Sequence, residues 1–315
     1  MASSDLGGKG SMERKIEIIE VGPRDGFQSV KADCFLIPTE EKLKIIDGIA
    51  ASGVRHIEYS SFVSPKAIPQ LADAAQVTEA LLEKYPDLDL FPLIPNLKGA
   101  ANAYALGVRK AAYVVSLSAS HNKANINRTH EQSFAAYQEI RREYPDLDVI
   151  VDVATSFGCP FEGKYEDPAR LTEFLKDYAE AGMKTCCLCD TIGIADPAQV
   201  KAVLESLNAA YPGLELMVHF HDTRGLGMVN TLTAIEMGVT KVQSALGGLG
   251  GCPFAPGASG NLSTEDMVWM LNEMGYETGV RFSKLLETAK YQVKTIPGQY
   301  SGHHVNIEAE TPCKY

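Results

Sequence analysis

The feature that most constrains this chain is a repeat. A short β-branched apolar run, a loop and a longer amphipathic stretch recur eight times along it. The runs are Lys15–Val21, Arg55–Tyr59, Leu88–Ile94, Ala111–Leu117, Leu147–Val153, Lys184–Asp190, Leu214–Phe220 and Lys241–Ala245. Short strands separated by helices pair in parallel through right-handed crossovers. Eight such units predict an α/β fold of the closed (β/α)8 TIM-barrel type. A doubly wound open sheet is the competing arrangement, but no Gly-x-Gly-x-x-Gly follows the first run.

Helix punctuation supports the alternation. Thr39 opens one helix, and Asp167-Pro168 and Asp196-Pro197 each set a capping acid before a proline at the first helical position. Gly53, Gly107, Gly182 and Gly238 stand where left-handed C-caps are needed. Residues 1–12, rich in Gly and Ser, read as a tail or an expression scar. Residues 13–315 then form one catalytic domain, with the barrel over about 15–280 and a C-terminal extension over about 281–315. That extension holds a helix at Arg281–Thr295 and an irregular tail.

Composition narrows the function classes. With 29 basic and 40 acidic residues, the formal net charge is −11, which disfavours nucleic acid and anionic membranes as partners. An anionic substrate must therefore meet local cations or a metal. No apolar run approaches the roughly 18 residues of a membrane helix. The seven cysteines are odd in number and scattered, which fits a reducing, cytoplasmic compartment.

In such a barrel the active site lies at the C-terminal ends of the strands. The unusual polar residues gather there: Arg24 and Asp25 after the first run, Glu58 in the second, Asp190 closing the sixth, and His219 and His221 in and just after the seventh. On a strand, residues i and i+2 share a face about 6.6 Å apart, so both imidazoles can converge on one ion. Asp25 and Asn261 would add oxygen donors, a mixed set that suits Mg²⁺, Mn²⁺, Co²⁺ or Zn²⁺. The bland alternative is two hydrogen-bonded core histidines. Arg24 and Asp25 sit between Gly22-Pro23 and Gly26, a turn able to direct both toward a pocket; otherwise they are an exposed ion pair.

The segment 247–261 is too glycine-dense for a strand or helix, and reads as a phosphate cradle, a mobile loop or a surface loop. Cys252, centred in it, is a candidate acid or base, although isolated loop thiols are usually inert. Cys186, Cys187 and Cys189 fit a buried strand that needs small side chains, and Cys313 lies in the tail. His56 reads as a satisfied core histidine, and His303-His304 as a loop pair that binds nothing strongly.

Several segments together resemble one family. Val21-Gly-Pro-Arg-Asp-Gly-Phe-Gln28, Ser61-Phe-Val-Ser-Pro-Lys66, Pro95-Asn-Leu-Lys98, Gly158-Cys-Pro-Phe-Glu-Gly163, Asp190-Thr-Ile-Gly193, His219-Phe-His-Asp222 and Gly248-Leu-Gly-Gly-Cys-Pro-Phe-Ala-Pro-Gly-Ala-Ser-Gly-Asn261 are similar, in order, to the 3-hydroxy-3-methylglutaryl-CoA lyases. These belong to the metal-dependent lyase and Claisen-synthase barrels. The resemblance implies Asp25, His219, His221 and Asn261 as ligands of a divalent metal, Mg²⁺ or Mn²⁺. It implies Arg24 as the enolate stabiliser, Cys252 as general acid, His219 or Asp25 as the base, and Glu58 and Asp190 as groups that orient substrate or relay protons. The activity implied is retro-Claisen cleavage of an acyl-CoA by a homodimer, in the cytoplasm or in the mitochondrial matrix of a eukaryote.

The sequence departs from the family at Ala119, Ala124, Arg224 and Leu226. Those changes leave room for a related substrate, such as citramalyl-CoA or a longer 3-substituted 3-hydroxyglutaryl-CoA. A Claisen-condensing synthase and a non-catalytic metal-binding barrel are the other readings. Lys66, Lys98, Lys123 and Arg224 are the expected cationic rim around the metal and Arg24.

Overall fold

The computed structural model describes residues 15–251 and 260–307. Its eight barrel strands are β1 (Glu17–Glu20), β2 (His56–Ser61), β3 (Asp89–Leu93), β4 (Lys110–Ser116), β5 (Asp148–Ala154), β6 (Thr185–Asp190), β7 (Glu215–Phe220) and β8 (Lys241–Ser244). Each pairs in parallel with its neighbour in sequence, and β8 pairs with β1 from Glu17 opposite Lys241 to Glu20 opposite Ser244, which closes the barrel. Every expected apolar run has become a strand, within a residue or two of its anticipated ends.

Side-chain alternation divides the apolar residues into two cores. Ile18, Ile57, Tyr113, Val151, Leu188 and Val218 face outward against the helices. Ile19, Phe91, Ala112, Ile150, Cys187 and Met217 fill the barrel interior. The cysteines of β6 follow the same rule: Cys186 packs outward and Cys187 inward, and both are free thiols.

The surrounding helices include α1 (Thr39–Ser52), α2 (Ala74–Lys84), α3 (Leu97–Ala105), α4 (Ala119–Ile126), α5 (His130–Glu143), α6 (Ala169–Glu180), α7 (Pro197–Ala210), α8 (Gly227–Glu236), α9 (Thr264–Glu273) and α10 (Phe282–Thr295). Asp196 caps α7 as expected, accepting from the Gln199 amide at 3.0 Å with Pro197 at the first helical position. Pro168 is itself the N-cap of α6 rather than its first residue, and Asp167 accepts from the Ala169 amide at 2.9 Å. The C-cap of α1 requires glycine: Gly53 has φ 107°, and a Cβ there would lie 2.5 Å from the Gly279 carbonyl oxygen.

Barrel closure is stitched by one buried acid. Glu20 accepts from the amides of Gly22 at 2.8 Å and Leu246 at 2.7 Å, and from the Thr264 hydroxyl at 2.6 Å. It thereby ties the end of β1 to the turn after β8 and to the start of α9. The extension helix α10 packs on α1 and α9. The His303-His304 pair is less idle than its sequence suggests. Both backbone amides and both Nδ1 atoms engage the Asp266 carboxylate of α9, at 2.5–3.1 Å, and pin the segment after α10 to the barrel.

The N-terminal end of the barrel is sealed by charge. His56 bridges Glu17 and Asp89, Lys110 meets Asp89 at 2.6 Å, and Lys241 meets Glu215 at 2.7 Å. His56 is thus a structural residue at the end opposite the expected active site. Burial opposes ionisation of Asp89, but His56 and Lys110 override it and bring its carboxyl down to about 2. A depressed carboxyl stabilises the fold above its unfolded pKa, and that contribution disappears as the pH falls through about 2. Asp89→Asn is therefore expected to cost about 1–2 kcal/mol at pH 7, allowing for partial exposure. The difference from wild type should vanish toward pH 2 in urea unfolding experiments.

Candidate active site

The C-terminal mouth of the barrel gathers most of the expected polar residues. After β1 the chain winds through a tight π-helical turn at Gly22–Gly26, with the Asp25 amide donating to the Val21 carbonyl at 2.7 Å. This turn points Arg24 and Asp25 into the same cavity, which a straight strand could not do. Arg24 is held from the far side by Glu58: Nε lies 2.8 Å from Oε1, and Nη2 donates to Oε2 at 2.9 Å. Its Nη1 donates to Asp25 Oδ1 at 2.6 Å. The guanidinium is thus held between the Glu58 and Asp25 carboxylates with its charge directed at the cavity.

His219 ends the inward face of β7, and His221 follows just beyond the strand, bridged to Asn261 in antiparallel fashion. The two imidazoles stand 5.1 Å apart, centroid to centroid. Donor atoms of Asp25, His219 and His221 all fall within 4.8 Å of one another. Asn261 donates its amide to Asp25 Oδ2 at 2.8 Å and to the Leu249 carbonyl at 3.0 Å. That orientation leaves Asn261 Oδ1 buried without a hydrogen-bond partner, and the Nδ1 atoms of His219 and His221 are equally unpartnered. Gly250 is required beside them, because a Cβ there would come within 2.7 Å of the Asn261 amide nitrogen.

The electrostatics suit a cation. Burial disfavours charge on Asp25, but Arg24, the two histidines and the Asn261 amide bring it down to about 2, so it is ionised. Burial pushes His219 down to about 3, helped by His221, and lowers His221 as well, so both rings are neutral at pH 7. One carboxylate, two neutral imidazoles and an amide oxygen form a donor set that fits a divalent metal. The residues present therefore accommodate the group the sequence led us to expect.

Other expected residues are placed differently. Glu58 does not line the cavity and acts on Arg24. Asp190 turns away from the cavity and accepts from the amides of Ile194 and Ala195 at 2.9 and 3.0 Å, holding the loop that carries Thr191 into the lining. Arg224 lies outside the cavity lining, and its Nη1 donates to the Ile192 and Gly193 carbonyls. Lys66, Lys98 and Lys123 are exposed and outside the cavity lining, so among the described residues Arg24 is the only lysine or arginine in it. Ala119, Ala124 and Leu226 also lie outside that lining. Cys252 and Cys313 fall outside the described residues.

Several further residues line the cavity. Gln28 donates to Asp25 Oδ1 at 2.6 Å. His121 meets Ser116 at 2.7 Å, and burial pushes its ring down to about 4. Cys189, Gln243 and Asp152 line the cavity floor. Asp152 carried a readable signal: it is the lone acid inside the apolar run Val149-Ile-Val-Asp-Val153.

The model of the HMGL-like family matches residues 15–291. The hydroxymethylglutaryl-CoA lyase YngG of Bacillus subtilis is 40% identical over 282 residues, which span 88% of this chain and 92% of that protein. The mitochondrial hydroxymethylglutaryl-CoA lyase of Macaca fascicularis is 41% identical over 283 residues, 89% of this chain and 86% of its own. An HMG-CoA lyase from Acinetobacter baumannii, solved in complex with coenzyme A and 3-methylmalate, superposes with a TM-score of 0.88 at 38% identity, covering 96% of this chain and 98% of that one. The chain belongs to the HMGL-like family of carbon–carbon lyases.

Proposed function

We propose that this protein cleaves 3-hydroxy-3-methylglutaryl-CoA between C2 and C3, releasing acetoacetate and acetyl-CoA. The observation that carries this reading is the convergence of Asp25, His219 and His221 beside a buried, oriented Arg24 at the barrel mouth. Relatives about 40% identical over most of the chain carry the name of that activity. Asp25, His219, His221 and Asn261 would hold a divalent ion, Mg²⁺ or Mn²⁺. Such an ion supplies Lewis acidity, lowering the pKa of a substrate hydroxyl and polarising an acyl oxygen.

The remaining work falls to the chain. The C3 hydroxyl must lose its proton for C2–C3 to break, and the neutral His219 ring and the Asp25 carboxylate are the acceptors at hand. Negative charge then moves to the thioester oxygen of the departing enolate. Arg24, whose charge Glu58 and Asp25 hold in place, stabilises it there without reorganising. A proton delivered to C2 completes acetyl-CoA, and we assign that delivery to Cys252 on the strength of its place in the sequence. Glu58 positions Arg24, and Asp190 positions the loop behind Thr191.

Incubation with 3-hydroxy-3-methylglutaryl-CoA and Mg²⁺ should yield acetoacetate, and EDTA should abolish the activity until metal is restored. Absence of acetoacetate from metal-replete protein would rule the reading out. Arg24→Lys keeps the charge but cannot span Glu58 and Asp25 at once, and is expected to lower kcat by about 10²-fold or more with little change in KM. Glu58→Gln should give a smaller loss of about 10-fold in kcat, because Arg24 keeps its contact with Asp25. We further propose a homodimer, for which light scattering should return twice the mass of the 315-residue chain.

A further inference from the structure

One buried acid in the cavity has no part in the chemistry described so far. Asp152 lies midway along β5 with its side chain on the inward face, in register with Val114 of β4 and Cys187 of β6. It is 3% exposed and lines the cavity. Its Oδ1 has no hydrogen-bond partner among the described residues. A buried polar atom left unsatisfied costs about 1–3 kcal/mol, so an acid retained there points to a ligand that satisfies it. Val114, opposite it on β4, and Ala154, two residues further along β5, are apolar members of the same lining. Burial, and then the nearby Glu58 charge, push the Asp152 carboxyl well above the ordinary carboxylate range.

The direction of substrate entry says which part of the ligand arrives. Coenzyme A is large and the barrel is open only at its mouth, so the acyl group is the end that reaches the floor. The 3-hydroxy-3-methylglutaryl group ends in a carboxylate. Arg24, the only lysine or arginine lining the cavity among the described residues, is already engaged by Glu58 and Asp25. Two carboxyl groups meeting in such a place cannot both remain ionised, and a shared proton resolves the conflict.

We infer that Asp152 is a specificity-determining residue, whose carboxyl donates a hydrogen bond to the terminal carboxylate of the acyl group and selects dicarboxylic acyl chains over those ending in methyl. The inference rests on the lyase reading above and adds to it the identity of the group that recognises the far end of the substrate. No bond to Asp152 forms or breaks in the reaction, so its influence falls on binding and discrimination.

The test compares kcat and KM for 3-hydroxy-3-methylglutaryl-CoA and for 3-hydroxy-3-methylbutyryl-CoA, which lacks the terminal carboxylate but can break the same bond to give acetone and acetyl-CoA. Wild type should prefer the dicarboxylic substrate by at least about 10-fold. Asp152→Asn retains an N–H donor of the same shape, and should keep both KM and the preference within about 3-fold. Asp152→Leu should raise KM for the dicarboxylic substrate about 10-fold or more, with kcat nearly unchanged and the butyryl thioester unaffected, so that the preference collapses. Asp152→Ala serves for the same comparison if the leucine variant does not fold.

A merely structural role would lower turnover of both substrates together, and that result would overturn the inference. So would an asparagine variant as impaired as the leucine one, which would make the ionised carboxylate an acceptor instead. Wild-type protein inactive on 3-hydroxy-3-methylglutaryl-CoA would overturn the lyase reading and this inference with it. Normal wild-type cleavage with discrimination intact in Asp152→Leu would overturn this inference alone.

Discussion

Everything at the mouth of this barrel depends on the pairing of β1 with β8. Asp25 follows β1, His219 and His221 stand in and just after β7, and Asn261 lies beyond β8. In a sheet left open between β1 and β8, the first and seventh strands would be separated by six strand spacings, about 29 Å. Closure places them two strands apart instead. Glu20 holds that seam by binding amides from both sides of it together with the Thr264 hydroxyl. Its three donors all belong to segments that meet only when the barrel is shut.

The second constraint is the charge balance under the mouth. Asp25, Glu58 and Asp152 bring three carboxyl groups into one buried region around a single guanidinium. Arg24 meets Asp25 and Glu58 through direct contacts, burial holds Asp152 toward its neutral form, and Asp25, His219, His221 and Asn261 would hold a divalent cation beside them. The unpartnered Asn261 Oδ1 and histidine Nδ1 atoms are costly in the protein alone and are expected of a site built to receive something. The acidic character of the chain as a whole therefore says little about the cavity. Positive charge is concentrated at Arg24, while the lysines first expected at the rim remain on the outer surface.

Strand and helix identities were legible because they rest on local periodicity and capping. Eight runs became eight strands, and Asp196-Pro197 began its helix as written. The ligand trio was legible as well, since His219-x-His221 at a strand end and Asp25 in a glycine-flanked turn are short-range patterns. Roles that depend on where a side chain points were harder to read. Asp190 and Arg224 sit beside site residues in the sequence, yet both spend their hydrogen bonds on the backbone of one loop. Asp152 belongs to none of the motifs, yet it lines the cavity.

Strand and helix order, and the chemical types available at each strand end, are written locally, because period, capping and turn residues act over a few positions. Which of those groups meet is a long-range matter. Barrel closure, the inward or outward sense of each strand, and the hydrogen bonds that orient Arg24, Asn261 and Asp190 all link residues far apart in the chain. Glu58 shows the difference most clearly: the sequence placed it at the rim, and its contact across 34 residues made it the support on which Arg24 rests.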